Sequence, residues 1–167
     1  MKKTKIFYKK RSSLILLSQF VDKNFNNTFY VPDSIFTKLI KKISKKTICT
    51  RENHAISMSF GSKLLEKKSL VIMQNSGLGL SIDSIIGTFH LYSEGCLIFI
   101  SNRGRLPWEE IQHKKWGRIT KKLIKSLGFI FFDFNKDGLK AVKKGYNVAF
   151  KKNKVVFIVF ERGNIDE

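Results

Sequence analysis

Short runs that are apolar at every position alternate along this chain with longer stretches in which apolar residues recur every three or four positions. The first pattern suits a strand buried on both faces, and the second suits a helix with one buried side. Continuous runs predict strands over 69–74, 96–101 and 155–160, and shorter β-prone runs predict strands over 28–31, 47–50 and 129–132. Helical spacing predicts helices over 12–22 (Leu14, Leu17, Val21), 35–44, 52–66, 77–90, 115–127 and 137–151. Asp33 or Ser34 after Pro32 fits the N-cap of the second of these. Regular strand–helix alternation implies right-handed crossovers and a mostly parallel sheet of about six strands, a three-layer α/β sandwich.

No linker, repeat or low-complexity stretch divides the chain. The expected organisation is a basic segment over 1–10 and one α/β domain over 11–167. A chain of 167 residues is long enough to bury roughly 68–70% of its extended surface, and 43% hydrophobic content with 15 Phe supplies the core. Cys49 and Cys96 lie inside apolar segments without metal-ligand or disulfide spacing, so both read as reduced core residues of a cytoplasmic protein. The apolar patch after the basic start is too short for a signal peptide, and no run reaches the roughly twenty residues a membrane span needs.

Charge changes the picture only in part. Lys and Arg number 32 against 13 Asp and Glu, a net charge of +19. That balance favours an anionic partner, yet the lysines are scattered in pairs without interleaved aromatics, which disfavours a nucleic-acid platform. Small anionic substrates or an acidic partner subunit fit better.

In a parallel sheet, the loops after the strands carry function. Here they are 32–34, 50–53, 75–80, 102–113 and 133–137. Gly77-Leu78-Gly79 is no dinucleotide fingerprint, because the third glycine and the distant ribose-binding acid are missing. P-loop, nucleophile-elbow and Cys/His cluster motifs are absent from the sequence, and His54, His90 and His113 are too dispersed to argue a metal site. Glu52 stands at a strand-to-helix junction, where the helix N-terminus favours a carboxylate. Gln74, Asn75 and Ser76 offer amide and hydroxyl groups, and Gly77 permits close backbone approach.

Several segments, in order, resemble the thiamine diphosphate-dependent phosphonopyruvate and sulfopyruvate decarboxylases, in their pyrimidine-binding half. They are Val31-Pro32-Asp33-Ser34, Glu52-Asn53-His54-Ala55, Met73-Gln74-Asn75-Ser76-Gly77-Leu78-Gly79, Arg103-Gly104, and Gln112-His113 followed by Gly117-Arg118-Ile119-Thr120. The resemblance spans about residues 25 to 160, and the Met73–Gly79 string is its most specific part. It implies that Glu52 hydrogen-bonds the aminopyrimidine of thiamine diphosphate and promotes its imino form. By the same resemblance Gln74, Asn75, Ser76 and Gly77 line the cofactor, while Asp33, Ser34, Arg103 and His113 face an anionic 2-oxo acid. The chain departs from the family pattern at Tyr30, Leu80, Asn102 and the 105–111 segment.

Thiamine enzymes hold the diphosphate through a divalent metal in a Gly-Asp-Gly segment, which this sequence lacks. The resemblance therefore implies an alpha-type subunit, with Mg2+ and the diphosphate held by a beta-type partner chain. The expected reaction is decarboxylation of phosphonopyruvate to phosphonoacetaldehyde. Sulfopyruvate decarboxylation is the first alternative, and a catalytically degenerate structural subunit is the second.

Overall fold

The computed structural model describes the backbone of residues 2–165 and the side chains of residues 13–165. Six strands form the sheet: β1 (Asn27–Tyr30), β2 (Lys46–Ile48), β3 (Ser69–Gln74), β4 (Cys96–Ser101), β5 (Ile130–Asp133) and β6 (Val155–Phe160). Their order is β2-β1-β3-β4-β6-β5, and every pairing is parallel. The helices are α1 (Lys2–Asn24), α2 (Thr37–Lys42), α3 (Glu52–Leu64), α4 (Asn75–Ile85), α5 (Ile111–Ser126), α6 (Phe134–Asp137) and α7 (Leu139–Lys151), and a π-helical turn over Ile86–His90 extends α4.

Alternate residues of the central strands feed two separate cores. Leu70, Ile72, Leu97, Phe99, Val156, Ile158 and Phe160 pack with α1, α2 and α7 on one face. Val71, Met73, Ile98, Ile100, Val155, Phe157 and Val159 pack with α3, α4 and α5 on the other. Both faces are buried under helices, which explains why these strands lack the polar alternation of a one-sided sheet. The leftward connections β1→β2 and β5→β6 run over the first face. The rightward ones, β2→β3, β3→β4 and β4→β5, run over the second. That partition is what right-handed crossovers demand. It also makes β1 and β3 neighbours whose chains depart in opposite directions, and the crevice outside their carboxyl ends is the natural ligand position of such a sheet.

The three-layer α/β fold expected from the pattern is therefore the observed one. Three of the strands, β3, β4 and β6, match their predicted limits, but several helices do not. Helix α1 runs ten residues further toward the N-terminus than 12–22. Helix α2 begins only at Thr37, because Asp33 spends its side chain on a tight turn, accepting from the Ile35 N–H at 2.8 Å. Helix α4 starts at Asn75 and α5 at Ile111, so residues expected in loops sit in first helical turns. The predicted loop 133–137 contains α6, capped by the Asp133 carboxylate on the Asn135 N–H. Among the described residues, no helix is long and apolar enough to cross a membrane.

Phe160 joins layers at the end of β6. Its ring lies 4.4 Å from that of Phe134, 5.0 Å from Phe99 and 5.1 Å from Phe36. Phe160→Ala is expected to cost about 3–5 kcal/mol, read by urea unfolding; a loss under about 1 kcal/mol would mean the cluster relaxes freely.

Candidate active site

Every predicted site residue lies at the carboxyl edge of the sheet. Glu52 is the first residue of α3, half-buried, and its side chain lies over Gly77 in the first turn of α4. A Cβ at Gly77 would fall inside the Glu52 carboxyl group. Glycine is thus required at 77 by close approach and not by backbone angle. The carboxylate is held against a bare Cα, beside the positive end of α3's own backbone.

Five other predicted residues, Asp33, Gln74, Ser76, Arg103 and His113, form one connected cluster. Asp33, at the end of β1, is 7% exposed; its Oδ1 holds the Ile35 N–H, and its Oδ2 accepts from the Ser101 hydroxyl at 3.1 Å. Arg103 follows β4. Its Nη1 donates to Gln74 Oε1 at 2.9 Å and lies 3.9 Å from Asp33 Oδ2. With its oxygen turned to Arg103, the Gln74 amide presents Nε2 to Ser76 Oγ at 2.7 Å and to His113 Nδ1 at 3.4 Å. This arrangement makes His113 Nδ1 an acceptor, which leaves the ring proton on Nε2.

Burial dominates the electrostatics here. It raises the Asp33 carboxyl above the ordinary carboxylate value, against the opposing pull of the Ile35 N–H, the Ser101 hydroxyl and Arg103. Burial also lowers His113, helped by the Arg103 charge and resisted by Glu109, Asp33 and Glu110. His113 is therefore neutral at pH 7. It is also buried on the first turn of α5, not in a solvated loop.

Asn75 and Ser34 sit differently. Asn75 is fully buried, and its Nδ2 donates to the Arg103 carbonyl at 3.0 Å and to Thr120 Oγ1 at 3.1 Å. It braces the Arg103 backbone from behind. Ser34 is exposed and accepts from Arg162 Nη2 at 3.1 Å.

Sequence reasoning missed Ser101, Glu109, Trp116, Thr120 and Arg162. Only Trp116 and Thr120 had a signal, their place beside or within the Gly117–Thr120 piece. The ring edge of Trp116 lies 2.8 Å from where a Cβ on Gly79 would stand. The Arg103-Gly104 and Gly117 pieces are two sides of one contact. Gly104 has φ +85°, its missing Cβ would strike the His113 carbonyl, and a Cβ at Gly117 would come within 2.6 Å of the Arg103 and Gly104 carbonyls. Among the described residues, no three His, Cys, Asp or Glu side chains converge to hold a metal.

The fold is that of an open, doubly wound α/β domain with a polar crevice at its strand ends. The solved 2-oxoglutarate:ferredoxin oxidoreductase of Magnetococcus marinus, with 2-oxoglutarate, coenzyme A and succinyl-CoA bound, shares this fold. Its TM-score is 0.67 at 16% identity, covering 92% of this chain and 29% of that one. No family model matches. The sulfopyruvate decarboxylase subunit alpha of Methanocaldococcus jannaschii is 33% identical over 119 residues, 68% of this chain and 70% of that protein. The same subunit of Methanococcus maripaludis is 37% identical over 83 residues, half of each chain. The chain belongs to the thiamine diphosphate-dependent decarboxylase family, as an alpha-type carboxy-lyase subunit.

Two glycine substitutions separate site from scaffold. Gly77→Ala meets only the movable end of Glu52 and gains helix propensity, so stability should hold within about 1 kcal/mol while the carboxylate is displaced and turnover falls. Gly117→Ala meets backbone and should lose about 1–3 kcal/mol in urea unfolding. Equal stability losses for the two would contradict the assigned contacts.

Proposed function

We propose that this chain supplies the pyrimidine-binding half of a two-chain decarboxylase acting on a three-carbon 2-oxo acid with an anionic head group. The carrying observation is the Glu52 carboxyl pressed against the bare Cα of Gly77 at the crevice edge. A carboxylate fixed at a helix N-terminus there can hydrogen-bond a ring nitrogen of a flat heterocycle. Thiamine diphosphate, when bound, supplies the carbanion-stabilising chemistry of the decarboxylation. Glu52 would hydrogen-bond the aminopyrimidine, and the Ser76 hydroxyl beside it would meet the ring's polar edge. Asp33 and Gln74 fix Arg103, whose guanidinium meets the substrate anion, and neutral His113 offers its Nε2–H to a substrate oxygen.

The sequence alone favours a phosphonate head group; the relatives and the site's charge favour a sulfonate. A single guanidinium, partly offset by Asp33 and flanked by an uncharged imidazole, suits a monoanion better than a dianion. Sulfopyruvate is thus the preferred substrate, with phosphonopyruvate second.

The diphosphate and its Mg2+ belong to a beta-type partner in this reading. Exposed apolar side chains at the same sheet edge support a partner there: Ile48, Leu80, Trp108 and Ile111, the last 82% exposed. The +19 charge favours an acidic one. A single functional unit over 11–167 and a cytoplasmic setting complete the proposal, the latter supported by two buried free cysteines, with burial pushing the Cys96 thiol up to about 12.

Carbon dioxide release by the purified pair with thiamine diphosphate and Mg2+ tests this. Wild type should turn over sulfopyruvate with the higher kcat/KM of the two substrates, and Glu52→Gln should lose about 10²–10⁴-fold. An inactive wild-type pair that still assembles would instead identify a structural subunit, the reading that Leu80 motivates. Near-normal turnover by Glu52→Gln would remove the assigned role.

A further inference from the structure

The 103–106 turn is held by an acid outside the crevice contacts described above. Glu109 is 5% exposed, and its Oε2 accepts from three consecutive backbone N–H groups: Gly104 at 2.9 Å, Arg105 at 2.9 Å and Leu106 at 3.0 Å. Its Oε1 lies 3.7 Å from Arg162 Nε. Arg162 comes from the segment after β6, donates to Ser34 after β1, and places its guanidinium 5.3 Å from the Trp108 ring. One carboxylate thus joins the turn after β4 to the segments following β1 and β6. Burial acts to raise Glu109, but the three N–H groups and Arg162 outweigh it and hold the acid below its ordinary value. It is therefore an anion at neutral pH.

We propose that Glu109 is a positioning residue for Arg103: it fixes the turn carrying that guanidinium and so sets affinity for the anionic substrate. The Arg103 peptide is pinned on both sides. Its carbonyl accepts from Asn75, and the next residue's N–H donates to Glu109. With the main chain fixed, the side chain reaches back to Gln74 Oε1 and Asp33 Oδ2. Without Glu109, three adjacent donors lose their acceptor, Gly104 is released from a left-handed conformation, and Arg103 gains freedom that substrate binding must then remove. This role rests on reading Arg103 as the anion contact. An interaction made equally in ground and transition states alters KM and spares kcat.

Two readouts decide it. In the assembled enzyme, Glu109→Ala should raise KM for the 2-oxo acid about tenfold with kcat within about twofold, and Glu109→Gln, whose amide oxygen can still accept from the turn, should recover part of the loss. In the complete chain without substrate, amide exchange at Gly104, Arg105 and Leu106 should quicken about tenfold in Glu109→Ala, with exchange in β3 and β4 unchanged. An unchanged KM, a fall in kcat alone, or unaltered exchange at the three amides would overturn the inference. If the wild-type pair turned over neither substrate, the proposed function would fail, and the exchange rates alone would still decide whether Glu109 holds the turn.

Discussion

The contact between Glu52 and Gly77 is the constraint around which the crevice is built. It joins the helix after β2 to the helix after β3, across the intervening end of β1. Any side chain at 77 would expel the carboxylate, so the position of the acid is set by the absence of an atom. The sheet makes the approach possible. Parallel strands deliver all their carboxyl ends to one edge, and the reversal of direction between β1 and β3 opens space there.

A second structure at the same edge has a different logic. Asp33, Arg103, Gln74 and His113 come from the ends of β1, β4 and β3 and the start of α5, and each is held by hydrogen bonds before any ligand arrives. Such preorganisation lowers the ordering cost of binding, at the expense of burying Asp33 in an environment that disfavours its charge. In the function proposed above, the two structures divide the labour: a proton-holding acid at one end of the crevice, and an anion-positioning cation at the other. Both serve a carboxy-lyase subunit whose remaining parts come from another chain in the function proposed here.

The fold was legible wherever apolar runs were buried on both sides. Strands β3, β4 and β6 end where the run meets Gln74, Ser101 and Phe160 with its following charge, and packing leaves no alternative. Helix starts were less legible because their first turns break the hydrophobic pattern. Asn75 is polar yet fully buried, satisfied by Arg103 and Thr120 from distant segments. Ile111 is apolar yet exposed, so periodicity misses the first turn of α5. The insertion of β6 between β4 and β5 has no local signature either. At the sheet edge, the resemblance singled out Glu52, Gln74, Arg103 and His113, and the fold brings the last three into one hydrogen-bonded cluster. Glu109 and Arg162 were invisible because their roles depend on tertiary contacts: one collects backbone N–H groups, and the other arrives from beyond the last strand.

The most direct test is a crystal structure of this chain assembled with its partner, thiamine diphosphate and Mg2+. The account predicts the aminopyrimidine seated against Glu52, with a carboxylate oxygen at about 3 Å from a ring nitrogen. A ring bound elsewhere, or a Glu52 side chain turned into solvent while the cofactor is in place, would contradict it.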